Sequence, residues 1–183
     1  MTLAYTLLGF LNLAPMTGYE LKKNLDRSTQ AFWHAGLNQI YPTLKTLEGT
    51  GLVSARTAPQ EGRPDRRVYR ITAAGRAELL QWLRRPIREL PPSKNVGLLK
   101  LFFAGYLHRD QILLHLRGQL ELHREALRRY REDVKPMIAE IVSRTGRTRE
   151  GTMWELVREL GESHERTYVD WLADAIRTVE AME

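Results

Sequence analysis

Along this 183-residue chain, apolar residues keep a helical period over three short segments, form two brief strand-like runs, and then return to a helical period over two long stretches. Residues 2–13 are apolar at Leu3, Leu7, Phe10 and Leu11 and stop before Pro15, which predicts a first helix. Thr17-Gly18-Tyr19-Glu20 has the spacing of a capping box and opens a second helix through Leu21 and Leu25. A third helix is predicted over 38–48, with Ile40, Leu44 and Leu47 as its inward stripe and Asn38 as its N-cap. That register makes Pro42 the fourth helical residue, where its missing N–H costs at most about one hydrogen bond. Gly49 and Gly51 end the helix. Leu52 to Ala58 and Arg67 to Thr72 read as a hairpin around the loop "PQEGRPD", and Thr72 caps a further helix, Ala73 to Leu83.

Three prolines, Pro86, Pro91 and Pro92, mark a linker over 86–92, because each disfavours helix at its own position and the one before. Beyond it the chain reads as helix throughout. Leu113, Leu116, Leu120, His123, Leu127, Tyr130, Val134, Met137 and Ile141 repeat at alternating intervals of three and four, a heptad seam, with a kink expected at Pro136. A second stripe runs Met153, Val157, Leu160, His164, Tyr168, Trp171, Ala175, Val179 and Met182. Two such helices leave more apolar surface than one chain can cover, so this half is expected to form a homodimer through Leu113, Leu116, Leu120, Leu127, Tyr130 and Trp171. The fold class is therefore mainly α with a small β-hairpin. A winged helix-turn-helix unit occupies 1–85, and a helical dimerisation domain of antiparallel long helices occupies 93–183.

Charge sharpens this division. The net charge is +6, and residues 1–90 carry 13 Lys and Arg against 7 Asp and Glu, whereas the remainder balances 15 with 15. The whole excess lies on the winged-helix half, where a polyanion is favoured by counterion release. The sequence has no cysteine, which excludes disulfides, thiolate zinc sites and thiol nucleophiles and fits a reducing, cytoplasmic setting. No run approaches the ~18 apolar residues of a membrane span, and the first residues read as a helix and not as a signal peptide.

With Ile40, Leu44 and Leu47 turned inward, the third helix presents Asn38, Gln39, Tyr41, Thr43, Lys45 and Thr46. Carboxamides pair with adenine, threonine methyls meet thymine methyls, and lysine reaches guanine or phosphate, so this face suits double-stranded DNA. Lys22 and Lys23 on the second helix are backbone contacts. Arg63, Arg66 and Arg67 supply cations on the wing, Arg63 being the candidate for a minor-groove or phosphate contact. The five histidines show no i,i+4 pair, so no metal site and no cofactor are expected. His123 and His164 fall in the seams, where their protonation would tune dimer stability. No nucleophile elbow, phosphate-binding loop or paired carboxylates point to an enzyme.

Three ordered motifs, "GYELKKNL" (18–25), "IYPTLKTLEGTGLV" (40–53) and "GRPDRRVYRITAAGR" (62–76), resemble the PadR family of bacterial transcriptional regulators. "LLKLFFAG" (98–105), with the helices after it, is similar to members with a larger helical dimerisation domain. Thr17 replaces the histidine often found before G-Y-E-L, and Gln39 replaces the small residue or threonine often found before [LI]-Y-P. The resemblance implies a dimeric DNA-binding protein, most often a repressor at a pseudo-palindromic operator, released by a small aromatic or phenolic effector. Trp33 and Phe103 are the residues named for such an effector. A ligand-responsive activator and a winged helix that binds protein instead of DNA are the alternative readings.

Overall fold

In the computed structural model, which describes residues 2–28, 35–58, 66–89 and 94–182, the chain divides into two units, Met1–Leu90 and Pro91–Glu183. The first unit is built on leucines. Helix α1 (Thr2–Leu13) buries Leu7, Leu8 and Leu11, α2 (Gly18–Ser28) buries Leu21 and Leu25, and α3 (Leu37–Gly49) buries Ile40, Leu44 and Leu47. Each of these side chains contributes about 2 kcal/mol on leaving water. The remaining wall is a three-stranded antiparallel sheet in the order β1-β3-β2, made of β1 (Met16–Thr17), β2 (Val53–Ala58) and β3 (Arg66–Ile71). Val53, Tyr69 and Ile71 face the helices, and Val53 pairs with Ile71 at the base of the hairpin.

Helix α4 (Ala73–Arg84) returns across α1, where the Tyr5 ring stacks on Trp82 with centroids 4.8 Å apart. Thr72 is its N-cap, as predicted: its hydroxyl accepts from Gly75 N–H at 3.0 Å and donates to the Gly51 carbonyl at 2.8 Å. A Cβ on Gly75 would run into the Leu52 carbonyl oxygen, so the glycine of T-A-A-G is set by the close passage of α4 beside β2. The capping box at α2 also forms, Thr17 N–H donating to Glu20 Oε2 at 2.8 Å and Glu20 N–H to Thr17 Oγ1 at 3.2 Å.

Two details differ from the sequence reading. Strand β1 was not foreseen; two residues are too short to show a period, and Met16 and Thr17 are defined only by pairing with Tyr69 and Val68. Helix α3 begins earlier than expected, with Gly36 and not Asn38 at the N-cap, so Pro42 is its sixth residue. The proline therefore removes the N–H that would have bonded to the Asn38 carbonyl.

In the second unit, α5 (Val96–Phe102) is capped by Asn95, whose Oδ1 accepts from Leu98 N–H at 2.9 Å. A 3₁₀ turn (Ala104–Tyr106) leads to α6 (Arg109–Arg129), a π-helical turn (Tyr130–Val134) and α7 (Lys135–Thr145). The wide turn lies immediately before Pro136, where the widening accommodates the missing N–H and the ring. Gly146, at φ +68°, reverses the chain into the long α8 (Thr148–Glu180). Contacts of Arg117 with Glu180, His123 with Glu165 and Arg131 with Glu162 run in opposite order on the two arms, so the pair is antiparallel.

The predicted α6 seam is real, and it faces α8 of the same chain: Leu113, Leu116 and Leu120 are buried with Leu172, Ile176 and Val179. These three leucines, assigned to dimerisation, are therefore already enclosed within one chain. The predicted α8 stripe holds toward its C-terminal end, where Tyr168, Ala175 and Val179 pack on this cluster, and is displaced before it. Gly151, Arg158, Glu165, Leu172 and Val179, spaced by seven, form the inward row, while Met153, Val157 and Leu160 stay exposed. Ion pairing explains the displacement: Arg158, only 5% exposed, bonds Glu155 at 2.7 Å and Glu162 at 2.5 Å, and Glu162 also takes Arg131 and Arg166. The three guanidiniums hold the Glu162 carboxyl down to about 2, and the Arg158 bond is the largest cause.

Candidate nucleic-acid interface

Because its inward stripe is fully enclosed, α3 is a rigid platform whose other face is open. Asn38, Gln39, Tyr41, Lys45 and Thr46 are exposed and Thr43 half-buried, so the six residues named on this helix share one accessible surface. Their bonding sorts them. Thr43 and Thr46 hydroxyls donate to the carbonyls of Gln39 (2.7 Å) and Pro42 (3.1 Å), which uses their one O–H donor and leaves the methyl and two acceptor lone pairs of each. Lys45 has no ion-pair partner among the described residues and keeps its full charge for a phosphate or guanine. Gln39 Oε1 accepts from the Gly36 N–H at 3.1 Å, tying the side chain to the start of its own helix.

Tyr41 is half-exposed, and its ring lies across the first residue of α2: a Cβ on Gly18 would stand 2.6 Å from Tyr41 Cε1. The glycine of G-Y-E-L and the tyrosine of I-Y-P thus form one contact between the two helices of the helix-turn-helix. Spacing alone could not have revealed this pairing.

The cations named elsewhere are divided. On α2, Lys22 is paired with Asp26 through both carboxylate oxygens, whereas Lys23 is exposed and unpaired among the described residues. At the loop end of the hairpin, Arg66 is bonded to Glu20, and Arg67 donates to both oxygens of Glu48 at 2.7 and 2.5 Å. The Arg67 guanidinium also lies 5.6 Å from the centre of the Tyr69 ring. The Thr17 backbone N–H, then the Thr17 hydroxyl and Arg66, keep the Glu20 carboxyl below its usual range. Glu20 therefore stays ionised at neutral pH, and Glu20 and Glu48 together hold the wing arginines against the helices. Their partners lie 46 and 19 residues away in sequence, beyond the reach of any local pattern.

Two further cations, Arg56 and Arg70, were not singled out from sequence. They sit exposed on the outer face of the hairpin, Ser54 opposite Arg70 and Arg56 opposite Val68, without ion-pair partners among the described residues. Alternation along β2 and β3 was the signal that could have found them.

Arg63 and Trp33 lie outside the described residues. Phe103 is 56% exposed and meets Phe102 edge-on at 5.0 Å. A groove of about 650 Å³ between α7 and α8, lined by Ile138, Val142, Gly151 and Leu156, does not include it. Among the other residues assigned to dimerisation, Leu127 and Tyr130 are half-buried and Trp171 is 40% exposed. His123 bonds Glu165 at 2.6 Å and stacks on Tyr168, with centroids 4.4 Å apart. No group of three or more His, Asp or Glu among the described residues is arranged to hold a metal ion, and no helix among them is long and apolar enough to cross a membrane.

Residues 7–81 match the transcriptional regulator PadR-like family, and residues 93–180 match a second family, the virulence activator alpha C-terminal domain. A probable transcriptional regulator of Mycobacterium tuberculosis is 39% identical over 115 residues, which cover 58% of this chain and 61% of that protein. The negative transcriptional regulator PadR of Bacillus subtilis is 28% identical over 97% of both chains. Its crystal structure with operator DNA superposes with a TM-score of 0.82 over 98% of this chain and 99% of that one, at 26% identity. The same protein bound to p-coumaric acid gives 0.76 at 25% identity over 98% and 99%. The virulence activator AphA of Vibrio cholerae shares the fold, with a TM-score of 0.69 at 22% identity over 99% of each chain.

Proposed function

This chain belongs to the PadR-like family of transcriptional regulators, and from that premise we propose that it represses transcription by binding a pseudo-palindromic operator as a homodimer. It is a regulator and not an enzyme. The observation that carries the reading is the exposed face of α3, where two carboxamides, a tyrosine, two threonine methyls and an unpaired lysine stand on a helix held rigid by Ile40, Leu44 and Leu47. A helix-turn-helix lays this helix in the major groove, with Lys23 and the start of α2 toward the phosphates and the wing toward the adjacent groove. Arg56, Arg63 and Arg70 add cations on the wing side, and the setting is the cytoplasm, where an operator is found.

The homodimer is supported by apolar surface that the chain leaves open in its second unit. Met153, Leu156, Val157 and Leu160 on α8 are 49–73% exposed, and Leu99 and Phe102 on α5, with Phe103 just after it, are 56–81% exposed. Such patches are unusual on a monomer. With Leu113, Leu116 and Leu120 enclosed, these residues and Trp171 are among those available to a second chain.

Release by a small aromatic or phenolic acid is proposed from the likeness to the Bacillus subtilis protein solved with p-coumaric acid. The activator alternative shares the fold, as the Vibrio cholerae structure illustrates, and the position of the operator relative to the promoter sets the sign. Selection of bound duplexes from a random pool, followed by mapping of the enriched site onto promoters, tests the proposal. A two-fold symmetric site upstream of a gene supports repression or activation by position, and no enrichment returns the chain to the protein-binding alternative.

A further inference from the structure

We infer that Gln39 reads guanine through its NH2 group alone, because its carbonyl oxygen caps the recognition helix. The inference rests on the DNA-binding reading of α3 and deepens it to one base position. Gly36, the N-cap, has no side chain to accept an amide N–H of the first turn. Its backbone carbonyl accepts from both Gln39 and Ile40 N–H at 3.0 Å, and its own N–H is taken by Gln39 Oε1 at 3.1 Å. This is the half of a capping box that a residue at the third helical position supplies, normally a glutamate or glutamine.

The bond also fixes which end of the carboxamide faces where. A backbone N–H only donates, so the atom against it is the oxygen, and the amide cannot be turned over without losing the bond. The NH2 is then the polar group of Gln39 without a protein partner among the described residues. The glutamine–adenine contact needs oxygen and nitrogen side by side on the base, one accepting from N6 and the other donating to N7. With the oxygen turned back onto Gly36, the NH2 is the end left to lead toward a base, and it carries two N–H donors. Guanine, with O6 and N7 adjacent and both acceptors, is the base edge that matches them.

The neighbouring carboxamide is that of Asn38. Its side chain folds over Gly36, where any Cβ would collide with Asn38 Oδ1, and its carboxamide makes no hydrogen bond among the described residues. Gly36 therefore holds open the space in which both carboxamides are arranged.

The test is duplex selection from a random pool with the full chain and two variants, with thermal unfolding recorded for each. Gln39→Glu keeps an acceptor for Gly36 N–H and so retains the fold and melting temperature, but it presents oxygen where the NH2 stood. The expected result is a G·C pair at one position of each half-site for the parent. In Gln39→Glu that guanine is disfavoured about tenfold, and the position shifts to cytosine or adenine, whose exocyclic amines donate. Gln39→Ala flattens the same position and lowers the melting temperature. The inference is overturned if the position that responds to Gln39 is an A·T pair in the parent site, or if the parent and Gln39→Glu select the same base everywhere. A parent that enriches no site overturns the DNA-binding reading itself, a distinct result.

Discussion

Replacing Gly18 by alanine tests whether the G-Y-E-L and I-Y-P motifs belong to one contact. A Cβ at Gly18 would meet Tyr41 Cε1, Cζ and Cδ1 at 2.6, 2.9 and 3.2 Å. Carbon atoms pack comfortably at about 3.5–4.0 Å, so the overlap approaches 1 Å. Overpacking of this kind costs about 1–3 kcal/mol, and about 1.5 kcal/mol applies here because Tyr41 is 48% exposed and its ring can swing outward. Alanine's higher helix propensity returns about 0.5 kcal/mol, since Gly18 stands at the first helical position. Gly18→Ala should therefore destabilise the protein by about 1 kcal/mol. In a Tyr41→Ala background the clash is gone, and the same change should stabilise by about 0.5 kcal/mol. Urea unfolding of the four proteins in the cycle should give a coupling of about 1.5 kcal/mol. The displaced phenol also disturbs the α3 face, so Gly18→Ala should weaken operator binding about tenfold although Gly18 is buried beneath the ring. Coupling below about 0.5 kcal/mol would refute the assignment of Gly18 to Tyr41.

Other consequences can be measured with the same duplexes and unfolding assays. Lys45→Ala should lower operator affinity and reduce the slope of log K against log salt by about 0.9, the value for one phosphate; an unchanged slope places Lys45 off the backbone. Glu48→Gln releases Arg67 and should raise affinity for random duplex with a steeper salt slope, while stability falls by at most about 1 kcal/mol because the pair is exposed. A decrease in random-duplex affinity would show that Arg67 needs Glu48 to be positioned. Glu162 has a folded value of about 2, below that of the unfolded chain. Its stabilising contribution is thus complete above about pH 4.5 and lost as the pH falls toward 2. Between those limits the melting temperature of Glu162→Gln should fall less steeply than that of the parent, and parallel curves would contradict the role given to the Arg158 network.

Local rules carried far in the first unit. The stripe Ile40, Leu44 and Leu47, the Thr72 cap and the Thr17–Glu20 box each depend on residues within a turn of one another, and each is found as read. The start of α3 was misjudged because asparagine outranks glycine as a cap by side chain, whereas here Gln39 closes the first turn from inside the helix. The wing arginines looked free because Glu20 and Glu48 reach them only through the fold. In α8 apolarity pointed to Met153, Val157 and Leu160, but the inward row is chosen by a buried arginine and its carboxylates. A hydrophobic pattern cannot register a helix whose seam is partly ionic, and the stripe it does find there is the surface left for another chain.

The central claim is that the α3 face reads base sequence. The most direct measurement is a pair of titrations, the selected duplex against a scrambled duplex of equal length, from 50 to 200 mM salt. Both affinities should fall with salt along similar slopes, since the same phosphates are neutralised, while the selected site stays about 10³-fold tighter or better throughout. Equal affinity for the two duplexes at every salt concentration would contradict it.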